Sequence, residues 1–414
     1  MISTRYKLIK IGLCGYILII LYNGIIKHIG LQISILETIR PFLPEFFLVI
    51  YLIGWLLSKK SYRKKPVYLS MWLIVVSLTS LFNVPSLVTI LSTYRDLLEP
   101  CLFLITLSTI NLNDCEKTKL IKMIEKIFMV FVLIGIYFAI IQRINGSQWT
   151  AIYFAGRPIW GVDSESGLRI SSGSFGFKVL GTTASAETFG FYNMLALIII
   201  IFLNKNLFLK FIFIAVSFIN IYLSGMKTAL LVAILALYIF IMNKRSKIAR
   251  IMVKVGSVII LFGIFYYMVF VLSEWEDSSF YARLVLWKSL LSKENLINLI
   301  FPMNMYFYSA KSGNTGIISF WDNSYFYFMF STGVFGMLLF VSNIWEKSRV
   351  LRKLNKGMIN CGNMIILSLA LSSISTCLFL GRNYIAIAII IVCIQSSCMQ
   401  INDEVDLNRS SVKL

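Results

Sequence analysis

The sequence predicts an all-α protein: a polytopic membrane bundle of about twelve transmembrane helices, with two large loops on one face. Three observations predict it. Of 414 residues, 58% are hydrophobic and only 14% charged, too few polar side chains to cover a water-facing surface of this size. The apolar residues gather into runs near the length of a bilayer crossing. Lysine and arginine fall mainly between alternate runs, as the positive-inside rule requires.

The same numbers exclude disorder. They also exclude a disulfide scaffold, because most of the seven cysteines lie inside apolar runs, where a free thiol behaves as a small hydrophobe. The net charge of +20 suits nucleic acid in a soluble protein. Here basic inside loops account for it, so no nucleic-acid partner is expected.

The expected spans are approximately 8–26, 42–57, 67–82, 88–110, 127–142, 187–203, 207–223, 228–242, 251–272, 323–344, 360–380 and 383–399. The first is a span rather than a cleaved signal, since Tyr22 and Asn23 interrupt it and no small-x-small site follows. Arg95, Asp96 and Glu99 burden the start of the fourth. With both termini inside, 26 of the 39 basic residues fall on inside segments, in clusters such as Lys59 to Lys65, Lys244 to Lys254 and Lys347 to Lys356. Dropping one span would throw later clusters outside. The chain therefore reads as one transmembrane domain, residues 1–414, without internal repeats and without clear mid-span Gly or Pro interruptions.

Two outside loops are long, 143–186 and 273–322. The first is rich in Gly and Ser and carries Trp149, Tyr153, Phe154 and Trp160, with Arg143, Arg157, Arg169 and Lys178. Its aromatics suit either an interfacial belt or the faces of sugars. It either lies on the membrane surface or lets backbone approach a ligand closely. The second holds a helical pattern over about 278–300. Arg283 and Trp287 share one face, beside an apolar stripe of Leu286, Leu290 and Ile297. Arg283 there meets either lipid phosphate or a specific phosphate. Lys227, at an outer turn, and Asp322, at the start of the tenth span, are either functional charges or interfacial anchors.

The single histidine, His28, makes a His-rich metal cluster hard to build. There is no phosphate-binding G-x-x-x-x-G-K-[ST] loop. No cofactor is expected, and an enzyme of this shape would draw its energy from an activated, membrane-borne substrate.

Three segments carry a resemblance: RISSGSFGF in the first long loop, YLSGMKTALLVAI at the turn between the seventh and eighth spans, and WDNSYFYFMFSTGVFGMLLF entering the tenth, with Gly333 and Gly336 as its spaced glycines. Together they resemble the bacterial O-antigen polymerase and O-antigen ligase families. Ligases have a functional His directly before the Asn of the tenth-span motif. Asp322 stands there, before Asn323, so the resemblance favours a polymerase.

That resemblance implies an inner-membrane protein whose two long loops are periplasmic. It implies transfer of a growing oligosaccharide from undecaprenyl pyrophosphate onto the next lipid-linked unit, with membrane lipid and a chain-length regulator protein as partners. Arg169 and Arg283 would hold the pyrophosphate, with Lys227 and Arg157 as weaker candidates. Asp322 would orient or deprotonate the acceptor hydroxyl, with Glu187 in reserve and Asn323 at the substrate. Polymerisation of a capsule or exopolysaccharide, ligation to lipid A–core, and flipping of the same lipid-linked unit are the rival readings.

Overall fold

The computed structural model describes residues 4–59, 64–81, 90–91, 93–150, 161–163, 168–170, 172–173, 176–183, 185–243, 299–302, 305, 323–354, 359–375 and 384–397, with isolated positions between 251 and 288. Among these the protein is overwhelmingly helical. Helix α1 (Thr4–Leu21) bends by 69° at Tyr22 into α2 (Asn23–Gln32). Then come α3 (Ser34–Ile39), a 3-10 turn (Arg40–Phe42), α4 (Leu43–Leu56) and α5 (Lys64–Ser80). A π turn (Tyr94–Leu98) leads into α6 (Glu99–Thr109), followed by α7 (Asp114–Thr150), α8 (Ala186–Leu203), α9 (Leu207–Ser224) and α10 (Lys227–Asn243). The last are α11 (Ser324–Leu354), α12 (Cys361–Ser375) and α13 (Tyr384–Ser397).

Among the described residues four helices are long and apolar enough to cross a membrane, five if the bent α1–α2 pair is one span; α10, α12 and α13 are shorter apolar helices. Their outward faces carry apolar stripes at helical spacing. On α7 the stripe is Val130, Leu133, Tyr137, Ile140 and Ile144; on α11 it is Phe335, Leu338, Val341 and Trp345. In water such surface would associate. Against acyl chains it is at home.

Contacts between helices fix their directions. Gly12 of α1 meets the backbone of Tyr51, and Gly54 meets that of Ile9, so α1 and α4 run antiparallel at close approach. A Cβ at Gly12 would lie 2.5 Å from Tyr51 N. Small residues of this kind let transmembrane backbones close on each other where no hydrophobic force drives them together. We call the end near Thr4 proximal and the opposite end distal. Tyr51 Oη donates to Thr106 Oγ1 (2.7 Å) and Trp55 Nε1 to Thr109 Oγ1 (3.1 Å), which aligns α6 parallel to α4. Trp72 Nε1 donates to Thr332 O (2.8 Å), and Lys65 pairs with Glu346 (3.2 Å), so α5 opposes α11. Asn220 Nδ2 donates to Asn193 Oδ1 (2.8 Å) between the opposed α9 and α8. Each such interhelical bond contributes about 0.6 kcal/mol on average and about 1.7 at most.

Two helices form the middle of the bundle. Helix α8 is buried without a gap from Phe189 to Ile201, and α13 from Tyr384 to Ile394. Both are apolar on nearly every side, as an enclosed helix should be, with Asn193 of α8 satisfied by Asn220. Helix α8 packs on α7, α9, α10, α12 and α13, and α13 also touches α6 and α11.

The structure departs from expectation in four places. The first long loop is not wholly irregular: β1 (Gly161–Asp163) pairs antiparallel with β2 (Leu168–Ile170), and β3 (Ser172–Gly173) with β4 (Gly176–Phe177). Helix α7 starts at Asp114, not 127, because Asn113 and Glu116 form a reciprocal cap (Glu116 N to Asn113 Oδ1, 2.8 Å; Asn113 N to Glu116 Oε2, 3.1 Å). It also runs past 143 before breaking at Gly146, where φ is +78°. Helix α11 is broken at Gly333 (φ +77°, ψ +164°), midway along a span expected to be continuous. The expected span 251–272 and the amphipathic stretch 278–300 lie almost wholly outside the described residues.

Candidate functional site

The end of the first long loop is a strap bound into the distal end of the bundle. Residues 179–183 are buried, so their backbone needs partners. Gln142 of α7 supplies them. Its Nε2 donates to Gly181 O (2.9 Å), and its Oε1 accepts from Leu180 N (2.8 Å) and Gly181 N (2.9 Å). A carboxamide carries the donor and acceptor that a neighbouring strand would otherwise offer. Val179 N donates to Leu223 O of α9 (3.1 Å), and Gly24 N of α2 donates to Thr182 O (3.0 Å). Thr182 Oγ1 donates to Leu21 O (3.1 Å). The strap ends at Ser185, whose Oγ caps α8 by accepting from Thr188 N (3.2 Å). This segment is therefore not a loop resting on the membrane surface.

The strap brings together pieces far apart in sequence. The turn from α9 to α10 reverses through Gly225 in the left-handed region (φ +68°). The Lys178 side chain lies against that glycine, where a Cβ would come within 2.8 Å of Lys178 Cγ. Lys227, two residues on, opens α10 and is exposed. Gly190 of α8 packs on Ser224 and Met226, so the first turn of α8, with exposed Glu187, abuts the same turn. Two ammonium groups and one carboxylate thus gather at the distal rim. A pair of lysines with room around them suits phosphate as point charges. A carboxylate at a helix N-terminus is favoured by the helix dipole.

Of the residues the sequence singled out, Lys227 lies at this turn, and Glu187 lies in the first turn of the helix that packs on it through Gly190. Arg169 lies in β2, in register with Val162 of β1, nine residues before the strap begins at Lys178. Arg157, Arg283 and Asp322 lie outside the described residues. Asn323 is buried and caps α11: its Oδ1 accepts from Tyr325 N (2.9 Å) and Phe326 N (3.2 Å). That oxygen is occupied by the helix.

Sequence reasoning passed over a second group. Arg95 Nε donates to Glu45 Oε1, and Arg95 Nη2 to Pro41 O (2.7 Å). Glu99, one turn on, is 1% exposed and interacts with Glu45, Arg95, Asp96 and the Tyr16 hydroxyl. Nearby on the distal side Arg40 Nη1 donates to Asn23 Oδ1 (3.1 Å). The signal was present, since three charges crowd the start of the fourth span, but it read as a weakness of that span and not as a site.

A third feature is the break in α11. A side chain at Gly333 would strike the Ile300 carbonyl and lie 3.0 Å from Pro302. Met305 is fully buried; its N donates to Ser80 Oγ (2.8 Å), and Ser77 Oγ donates to Met305 Sδ (3.3 Å). Residues 299–302 and Met305 of the second long loop thus reach down between α5 and α11. Irregular backbone at this depth is tolerated only where protein covers it or it lines a cavity.

No protein family, no curated protein and no solved structure matches the chain.

Proposed function

We propose that the chain is a bacterial inner-membrane glycosyltransferase. It joins undecaprenyl-pyrophosphate-linked oligosaccharide units on the outer face, as an O-antigen polymerase of twelve spans with both termini inside. The observation that carries this reading is the strap: Lys178 and Val179, which directly follow the RISSGSFGF segment, seat on the YLSGMKTALLVAI turn, so that two of the three segments on which the resemblance rests adjoin and Lys178 and Lys227 lie at one rim. The alternating directions of the described helices support the topology.

In the proposed reaction the hydroxyl of the incoming unit attacks the anomeric carbon of the growing chain. The bond from that carbon to the pyrophosphate oxygen breaks, and undecaprenyl pyrophosphate leaves with the bonding electrons. Lysines at the rim and the arginines Arg157, Arg169 and Arg283 stabilise the charge that grows on the leaving group, commonly the largest catalytic contribution in such a site. Asp322 or Glu187 accepts the hydroxyl proton.

The test is sugar analysis of surface polysaccharide from a deletion strain carrying each variant. Arg169→Ala and Arg283→Ala should each abolish or strongly shorten the polymer, by about 10²–10³ in rate for one lost charge-stabilising contact. Lys227→Ala should shorten it less, and Arg143→Ala should be mild. The deletion strain should cap lipid A–core with at most one unit. Full-length polymer from both arginine variants would remove the reading. Polymer accumulating on undecaprenol with a bare core would replace it with a ligase, and changed capsule with intact O-antigen with a capsule polymerase.

The break at Gly333 favours one second reading, a transporter that flips the same lipid-linked unit, because such proteins use interrupted helices at the membrane midplane. Units trapped on the cytoplasmic side of the deletion strain would select it.

A further inference from the structure

We propose that the proximal end of α11, with the start of α5 beside it, binds the headgroup of an acidic glycerophospholipid, of the phosphatidylglycerol kind, from the leaflet at that end. The inference rests on the helical bundle and does not depend on the glycosyltransferase reading.

The outward apolar stripe of α11 runs from Phe335 to Trp345, about 15 Å of helix. That matches the hydrocarbon depth of one leaflet, half of about 30 Å. Trp345 ends the stripe and is 52% exposed, as suits an indole at the lipid–water boundary. Arg349 and Arg352 stand four and seven residues beyond it, so they continue the same face of the helix, and both are exposed. Arg352 folds back over the Trp345 ring, its guanidinium carbon 5.5 Å from the ring centre. That cation–π contact holds one guanidinium at the mouth of the stripe. Helix α5 runs alongside, its Trp72 ring edge-on to Phe335 at 4.9 Å, and it brings Lys64 and Lys65 to the same rim. An apolar track one leaflet deep that ends in two guanidinium groups has the outline of a lipid. An acyl chain lies along the stripe, and the phosphate meets the arginines.

Charge selects the headgroup. Among the described residues, α5 and α11 bring Lys64, Lys65, Lys347, Arg349, Arg352 and Lys353 to this rim, against one carboxylate, Glu346. Glu346 is paired with Lys65 (3.2 Å). Lys347 is buried, on the side of the helix away from Trp345. Four cations, Lys64, Arg349, Arg352 and Lys353, are left exposed. A guanidinium meets two oxygens of a phosphodiester at once with its planar fork. Every glycerophospholipid offers that phosphodiester, but the surplus cations repel the ammonium of a choline or ethanolamine headgroup. A lipid of net negative charge is therefore preferred, as at basic clusters beside membrane helices generally. Helix α7 gives the contrast at the same end. Its Lys119 and Lys122 are exposed, and no arginine or tryptophan stands on the neighbouring turns.

The test is native mass spectrometry of the full-length protein, stripped of lipid in detergent and titrated with phosphatidylglycerol or phosphatidylcholine. The wild type should take up a first phosphatidylglycerol at concentrations where phosphatidylcholine does not bind. Arg349→Gln and Arg352→Gln should each weaken that first binding by about tenfold, the effect of one lost hydrogen bond to a charged group. Both side chains are exposed, so the variants should fold as the wild type does. The double variant Lys119→Gln, Lys122→Gln removes as much charge from the same end as both arginine changes together and should bind as the wild type does. Excess inorganic phosphate should leave the lipid in place, because it has no chain for the stripe. The proposal is overturned if the two lipids bind alike, or if both arginine variants keep the wild-type affinity. It is also overturned if the lysine variant loses as much as the arginine variants, or if inorganic phosphate displaces the lipid. Polysaccharide is not read at any step, so failure here and failure of the glycosyltransferase reading are distinguishable.

Discussion

The two ends of the bundle are built differently. At the proximal end asparagines close the connections. Asn113 caps α7, Asn206 Oδ1 accepts from Phe208 N (3.0 Å) and Leu209 N (3.3 Å), and Asn360 Oδ1 accepts from Asn363 N (2.8 Å). Its charges pair at the rim, as Arg5 with Glu116 (3.9 Å), Lys117 with Asp114 (3.5 Å) and Lys65 with Glu346 (3.2 Å). In the distal half the backbone itself is irregular. All four described positive-φ glycines, Gly146, Gly181, Gly225 and Gly333, lie there, and so does the buried Glu45–Arg95–Glu99 group. One end turns the chain on regular caps and keeps a regular backbone, although Lys117, Lys210 and Lys347 are buried there. The other holds unusual conformations and desolvated charge in place through specific partners, as strained and buried polar features generally require.

Equal insults at the two ends should therefore do unequal harm. The largest effect should follow Gly333→Val. The backbone there occupies a region open essentially to glycine alone, at about 1–3 kcal/mol for any other residue. The new side chain would also collide with the Ile300 carbonyl and Pro302. We expect loss of most monodisperse protein on size-exclusion chromatography. Asn206→Ala at the proximal end should cost about 1 kcal/mol and preserve the peak. A Gly333→Val protein as abundant as wild type would erase the distinction.

An intermediate effect is expected for Gln142→Ala. It strips three hydrogen bonds from buried strap atoms, each worth about 1–3 kcal/mol when left unmet. The strap should open while the helices stay folded. A cysteine placed at Thr182 should then react with a membrane-impermeant maleimide many times faster than in the wild-type background. Equal rates would mean that the strap is held by its other contacts.

The smallest effect belongs to the proximal rim. Lys65→Ala should change the unfolding temperature little, because exposed ion pairs contribute about 0–1 kcal/mol. Added salt should shrink even that difference in the wild type. A loss as large as that of Gln142→Ala would show the proximal charges to be structural after all.

Hydropathy made much of the bundle legible. The expected spans 187–203, 207–223 and 228–242 match α8, α9 and α10 to within a residue at each end. Long apolar runs between polar breaks leave little choice of conformation. The distal features were harder to read, each for its own reason. Gly333 sits in an apolar run where glycine is common in membrane helices, and only the approach of Ile300 from a distant loop reveals the break. Gln142 looks like one polar residue near a span end, and its role depends on a strap that begins at Lys178. Glu99 needed partners from α1 and α4, which no local pattern links to it. Lys227 and Glu187 were recognisable as exposed charges. The packing of the helix that bears Glu187 on the turn that bears Lys227 was not, because it runs through Gly190.

The close pairing of α1 with α4 also sets a schedule for synthesis. Gly12, Gly15 and Gly54 let these two helices seat on each other as soon as residue 56 has left the ribosome and entered the bilayer. Glu45 goes in with them, but its partner Arg95 follows 50 residues later. At about 5–20 residues per second, that interval lasts about 3–10 seconds. During it a carboxylate at the membrane edge has no guanidinium, so the nascent hairpin is at its most vulnerable before the fourth span arrives. The length of the Glu45-to-Arg95 segment determines how long that window lasts.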